Sequence, residues 1–170
     1  MKNRGCLFGA LLLGMMLSGL TWRTDARADD QADIKALEQR WVVAVKAKDI
    51  DAIMACYVPD QSLFVFDVIP PRQYVGAKAY RKDWEDLFAT YPGPGTIEMS
   101  DLSVTSNGKL GYGHNIQHGV LTDKEGKKAD FIFHVTNGYR KLNGKWLISH
   151  EHVSVPVDLA TGKADLASKP

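Results

Sequence analysis

The chain has two cysteines in 170 residues, Cys6 and Cys56, and no histidine before His114. It also lacks an excess of charge of either sign: 21 lysines and arginines stand against 20 aspartates and glutamates, a net +1. A balance this close, with no basic cluster, argues against a nucleic-acid surface built on phosphate neutralisation. Long apolar runs are scarce too. The one uncharged stretch, residues 6–20, is short for a membrane-spanning helix.

What surrounds that stretch gives it a meaning. Lys2 and Arg4 precede it and Ala26-Arg27-Ala28 follows, the build of a secretory signal peptide cleaved after Ala28. Export to a periplasm or beyond is therefore expected, with no stable membrane association after cleavage. The alternative is a retained anchor, with Trp22 and Arg23 at the lipid interface. Residues 29–157 are expected to form one domain and residues 158–170 a loosely ordered tail. Removing Lys2, Arg4, Arg23, Arg27 and Asp25 leaves 17 basic against 19 acidic residues, so the mature net charge is −2. Only Cys56 then remains, which excludes an intramolecular disulfide; in the stretch AIMACY it reads as a small buried hydrophobe.

Ile34, Leu37, Trp41, Ala44 and Val45 follow helical spacing from Asp33 to Lys48, with Asp30 or Asp33 as the expected cap. A second short helix runs from Ile50 to Tyr57, stopped by Pro59. Residues 62–67, SLFVFD, read as a strand, and Pro70-Pro71 breaks the loop after it. From Ala77, the residues Tyr80, Trp84, Leu87 and Phe88 share one helical stripe and read as helix core. Four strands follow, 97–105, 110–121, 129–141 and 146–155, joined at Asn107-Gly108, residues 123–126 and Asn143-Gly144; an Asn-Gly pair accepts the positive φ that a tight hairpin demands. Helices first and strands last, without βαβ alternation, predict an α+β domain whose curved antiparallel sheet wraps the helices.

The stretch KDIDAIMACYVPDQSLFVFD, followed by Pro70-Pro71 and Gly76, resembles the first half of the nuclear-transport-factor-2-like (NTF2-like) superfamily, ketosteroid isomerases in particular. The stretch NGKWLISHEHVS resembles the last hairpin of SnoaL-like proteins and of the calcium/calmodulin-dependent kinase II association domain, which share a G-K-W…H-x-H-x-S ending. The resemblance covers residues 33 to 156 and implies a cystatin-like cone whose mouth holds a small ligand, with no cofactor. It places Asp67 where the isomerases keep their aspartate base, and Tyr57 where they keep a supporting tyrosine. Trp41 and Thr136 fall where the isomerases have acidic hydrogen-bond donors. Indole and hydroxyl are much weaker acids, so isomerisation of Δ5-3-ketosteroids is not expected. Asp67 also has a structural alternative, accepting backbone N–H groups in the turn that follows it.

The final hairpin leaves open which of its faces is the inside. A regular two-residue turn at Asn143-Gly144 pairs Lys141 with Trp146, Tyr139 with Ile148, Asn137 with His150 and Val135 with His152. That aromatic, apolar face is the one burial favours. The resemblance instead implies that Ser149, Glu151 and Val153 line the cavity. Burial of both faces, one of them in a homodimer with His150 and His152 at its seam, reconciles the two. On that basis Glu151, His134 and Thr136 are expected to face the pocket near Asp67, with Glu151 or His134 as the acid partner of an Asp67 base. Three functions remain: acid/base chemistry on a small carbonyl-bearing ligand, of isomerase, cyclase or dehydratase type; a non-catalytic binding or oligomerisation module; and a metal enzyme using His150 and His152 as ligands, H-x-H placing both on one strand face, with His114 and His118 on a neighbouring run.

Overall fold

A computed structural model describes residues 22–167, with side chains from Asp29; the expected signal segment ahead of Trp22 lies outside the described residues. The first helix, α1 (Trp22–Ala47), starts well before the expected cap. Asp30 is therefore no cap but a residue within the helix, 5% exposed. Its Oδ1 accepts from Lys141 Nζ at 2.7 Å and from Trp146 Nε1 at 3.0 Å, which ties the first helix to the last hairpin.

Asp49 caps α2 (Ile50–Met54) by accepting from the Ala52 N–H at 3.0 Å. That helix ends at Met54 rather than at Tyr57, because the chain already turns to pair with the sheet: Tyr57 bridges Ile148, and the Val58 N–H donates to the Ile148 carbonyl at 2.9 Å. The strands β1 (Phe64–Phe66) and β2 (Tyr74–Val75) follow, then α3 (Ala77–Thr90), whose Tyr80 and Trp84 are buried.

The second half is the expected meander: β3 (Thr96–Ser106), β4 (Leu110–Thr122), β5 (Lys128–Leu142) and β6 (Lys145–Ser154). The sheet order is β2-β1-β6-β5-β4-β3. It is mixed rather than wholly antiparallel, since β1 joins parallel to β6, Phe64 opposite His150 and Phe66 opposite His152. Asn143 and Gly144 take φ of 50° and 79°, the left-handed conformations their turn requires.

One irregularity in β6 decides which side chains face inward. The expected pairs hold at Lys141–Trp146 and Tyr139–Ile148, but Gly138 then pairs with His150, so Ser149 is an extra residue in a β-bulge. Beyond it the partners shift by one: Asn137 opposes Glu151, Thr136 opposes His152 and Val135 opposes Val153. Trp146, Ile148 and Glu151 all reach the same inner face, with exposures of 3%, 0% and 3%. Each sequence-based reading of the faces was therefore right for half of the strand. Burial fixed the inside ahead of the bulge and the resemblance fixed it after, with no second subunit needed to reconcile them.

The C-terminal segment is not the loose tail expected. A small hairpin, β7 (Val157–Asp158) and β8 (Lys163–Ala164), folds back, and the Ile132 N–H donates to the Leu166 carbonyl at 2.8 Å. Among the described residues no helix is long and apolar enough to cross a membrane.

Candidate functional site

Between α1, α3 and the inner face of the sheet lies a cavity of about 400 Å³. Trp41 and Val45 come to it from α1, and Tyr80, Asp83, Trp84, Leu87 and Phe88 from α3. The helical stripe that read as core thus does both tasks, packing inward and walling the cavity. Gln117, Phe131 and Phe133 line the sheet side, while Ala164 and Leu166 of the folded-back tail cover part of it. Two carboxylates from the sequence reading, Asp67 and Glu151, line the same space.

Glu151 lies deep, its alternate position set by the bulge. Tyr80 donates its hydroxyl to Oε1 at 2.5 Å and Tyr57 donates to Oε2 at 2.9 Å, the two phenol rings packing edge-on at 5.2 Å. Burial raises the carboxyl pKa from 4.5 to about 8; the two hydroxyl donors work against that rise, and the charges of Asp67 and Glu38 add to it. Asp67 is half-buried just past β1, where its Oδ1 accepts from the Val68 N–H at 2.5 Å. Burial and the charge of Asp83 raise its pKa to about 6, against the backbone N–H groups of Val68 and Ile69. Both readings of Asp67 thus coexist, a turn acceptor that also opens onto the cavity.

The other expected site residues divide. Trp41 lines the cavity; Tyr57 is buried behind it and reaches the site through Glu151. His134 and Thr136 are corrections. Both are exposed on the outer face, because the bulge shifts β6 against β5 and takes them out of phase with Glu151. His150 and His152 also lie on the outer face, with the His150 Nδ1 2.8 Å from the Phe64 carbonyl and the His152 ring 5.5 Å from that of Phe66. Among the described residues no group of three or more His, Cys, Asp or Glu side chains is placed to hold a metal ion.

Sequence reading missed Tyr80 as a partner of Glu151, and Glu38 altogether. Glu38 is 1% exposed and accepts from Asn137 Nδ2 at 2.9 Å and the Tyr139 hydroxyl at 2.5 Å, its pKa raised by burial. The signal was present: Glu38 falls four residues after Ile34 and three before Trp41, on the apolar stripe of α1. Cys56 is buried as expected, and burial pushes its thiol up to about 11, which leaves it inert.

Known structures share this architecture. An NTF2-like protein of unknown function from Pseudomonas putida KT2440 is 34% identical, with a TM-score of 0.76 over 84% of this chain and 98% of its own. A candidate scytalone dehydratase from Novosphingobium aromaticivorans superposes with a TM-score of 0.70 at 13% identity, over 79% and 89% of the two chains. A ketosteroid isomerase-like protein from Erwinia carotovora atroseptica does so at 0.64 and 20% identity, over 74% and 95%. The latter two likenesses establish fold alone. No curated protein matches the chain. With a SnoaL-like domain model matching residues 34–158 and the Pseudomonas structure covered almost end to end, the chain belongs to the SnoaL-like family of the NTF2-like superfamily.

Proposed function

We propose that the protein catalyses cofactor-independent acid/base chemistry on a small, partly apolar, carbonyl-bearing ligand. One observation carries this reading: two carboxylates line one cavity under conditions that hold them in opposite protonation states. Between pH of about 6 and about 8, Asp67 is a carboxylate and Glu151 a carboxylic acid. Asp67 would take a proton from the carbon next to the ligand carbonyl. Glu151 would give its proton to the carbonyl oxygen, yielding the enol. In an unsaturated ligand, return of the Asp67 proton to another carbon, with the enol proton going back to Glu151, isomerises it; in a ligand with a β-hydroxyl, the Asp67 proton leaves with that hydroxyl as water while the enol proton goes back to Glu151, and the ligand is dehydrated. The carboxylate left on Glu151 keeps the hydroxyl hydrogen bonds of Tyr57 and Tyr80, which grow stronger on a charged acceptor.

The test uses 2-tetralone, a neutral bicyclic ketone with acidic α-hydrogens, and follows hydrogen–deuterium exchange at its α-carbon by NMR in deuterated buffer. Exchange above the buffer rate, with a maximum between the two carboxyl pKa values, is expected. Asp67→Asn should lower it by about 100-fold or more with the melting temperature of the variant at or above the parent's. Exchange no faster than buffer, or an active Asp67→Asn variant, would overturn the assignment.

Two further proposals accompany this one. Export with cleavage after Ala28 is supported by the charged start, the apolar run and the Ala-x-Ala ending. A homodimer through the outer face of the sheet is supported by Phe66 and Tyr112, exposed by 37% and 59%.

A further inference from the structure

The acid/base reading leaves part of the cavity's polar lining without a task. Asp83 and Asp130 line it along with Asp67 and Glu151, and none of the lining residues is Lys, Arg or His. Asp130 is exposed and meets His118 at 2.9 Å. Asp83 is half-buried on α3, and its Oδ1 accepts from the Tyr74 hydroxyl at 2.6 Å, a donor without charge. The charge of Asp83 falls on Asp67, so two half-buried carboxylates repel each other and no lining cation offsets them. Like charges held together in this way work against the fold and mark a place where a ligand can relieve them.

The sheet wall carries an independent sign of a ligand. Gln117 is 6% exposed and lines the cavity, and its amide makes no hydrogen bond among the described residues. Its polar atoms are not sealed, because the little surface they keep opens on the cavity. A buried amide gives up water without loss only where a partner replaces it, and here that partner comes from the cavity.

The remaining wall favours a cation. Tyr80, Trp84 and Phe88 form a run of rings along α3, with successive centroids 6.0 and 5.6 Å apart, and Phe131 and Phe133 stack at 4.3 Å on the sheet side. Ring faces attract cations, most strongly where water is kept out. The chain places one of its own against this wall: the Lys48 ammonium lies 5.5 Å from the Phe88 ring. The carbonyls of Tyr91 and Gly93, each at 2.6 Å, hold it there, away from the carboxylates. An anion would enter against like charge.

We infer that Asp67 and Asp83 form a cation subsite, and that the ligand of the cavity carries an organic ammonium group, held by the two carboxylates between aromatic walls with the Gln117 amide as a further acceptor. This rests on the same cavity being the ligand site. It gives the carbonyl-bearing ligand of the proposed function a second, cationic group, which makes it an amino ketone.

Four bicyclic probes of one outline separate the effects by isothermal titration calorimetry at neutral pH: 2-aminotetralin, whose amine is protonated there, the neutral 2-tetralone, the hydrocarbon tetralin, and the anion tetralin-2-carboxylate. The ammonium is expected to bind about ten-fold more tightly than tetralin or 2-tetralone, and the carboxylate more weakly than either. Asp83→Asn keeps an acceptor for Tyr74 and removes the charge. It should weaken the ammonium by about five- to ten-fold and leave tetralin and 2-tetralone within about two-fold. A purely structural role of Asp83 would move all the probes alike. An ammonium that binds no more tightly than tetralin, equal losses for every probe in the variant, or a carboxylate that binds as well as the ammonium would each overturn the subsite. The ranking of the probes on the unaltered protein decides the matter should the variant fail to fold. The α-exchange assay keeps the two proposals apart. Asp83-dependent ammonium binding without exchange of 2-tetralone sustains the subsite and removes the acid/base reading, whereas Asp67-dependent exchange with an ammonium bound no better than tetralin does the reverse.

Discussion

Glu151 keeps a proton that an exposed glutamate would lose, and that has a consequence for stability as well as for chemistry. In the unfolded chain its pKa is the ordinary 4.5, whereas burial raises it in the fold to about 8. Between those values the folded state holds a proton that the unfolded state has released, so stability is greatest below the lower value and is lost as pH rises through the upper one. At 1.36 kcal/mol per pH unit the interval is worth up to roughly 5 kcal/mol. Asp67, raised from 3.8 to about 6, acts in the same direction at lower pH. Urea unfolding at about pH 5 and about pH 8 is expected to show the protein markedly less stable at the higher pH, and Glu151→Gln should flatten most of that slope. An unchanged slope in the variant would mean that the proton sits elsewhere. Tyr80→Phe removes a donor that favours the ionised carboxylate. The upper limb of the exchange profile should therefore move to higher pH, as read from the same NMR assay.

At the scale of elements, the hairpins show what a sequence can and cannot announce. Asn143-Gly144 and Asn107-Gly108 are legible because positive φ at Gly108, Asn143 and Gly144 is a property of single residues. The bulge at Ser149 carries no such mark. It arises from how β6 fits between β5 and a parallel β1, a contact remote in sequence, and it moves His134 and Thr136 to the outside while keeping Glu151 within. Asp67 could be found because a local motif places it at the end of a strand. Tyr80 is the core residue expected, but helical spacing identifies the buried stripe without showing that its hydroxyl meets a carboxylate 71 residues away. The sheet wall also contains a position whose smallness shapes the cavity. Gly119 lies opposite Phe131 across β4 and β5, and a Cβ there would run into the Cζ and Cε2 atoms of that ring. Gly119→Ala is expected to push Phe131 off its stack with Phe133 and into the cavity. It should cost about 1–3 kcal/mol in urea unfolding and weaken 2-tetralone in calorimetry. Unaltered binding would place the ligand away from the Phe131 wall.

For the whole molecule, the same alternation that fills the inner face loads the outer one. His114, His118, His134, His150 and His152, every histidine in the chain, project from the outer face of the sheet. There Phe66 packs against His150 and His152 at ring distances of 5.8 and 5.5 Å and remains 37% exposed, and Tyr112 is 59% exposed. A two-fold axis through this face would let one patch cover its own copy without leaving an open end for further growth. A chain starting at the proposed cleavage site, residues 29–170, begins just ahead of Asp30 and so retains the tie from α1 to Lys141 and Trp146 that anchors the first helix. Expressed from Asp29, it is expected to sediment as a dimer at micromolar concentration. Phe66→Glu and Tyr112→Glu together should give a monomer that keeps the cavity and its affinity for 2-tetralone, because neither side chain lines that space. A wild-type monomer would remove the dimer, and a charged double variant that still dimerises would move the interface off this face. Neither result would touch the pairing of Asp67 with Glu151, which is complete within one chain.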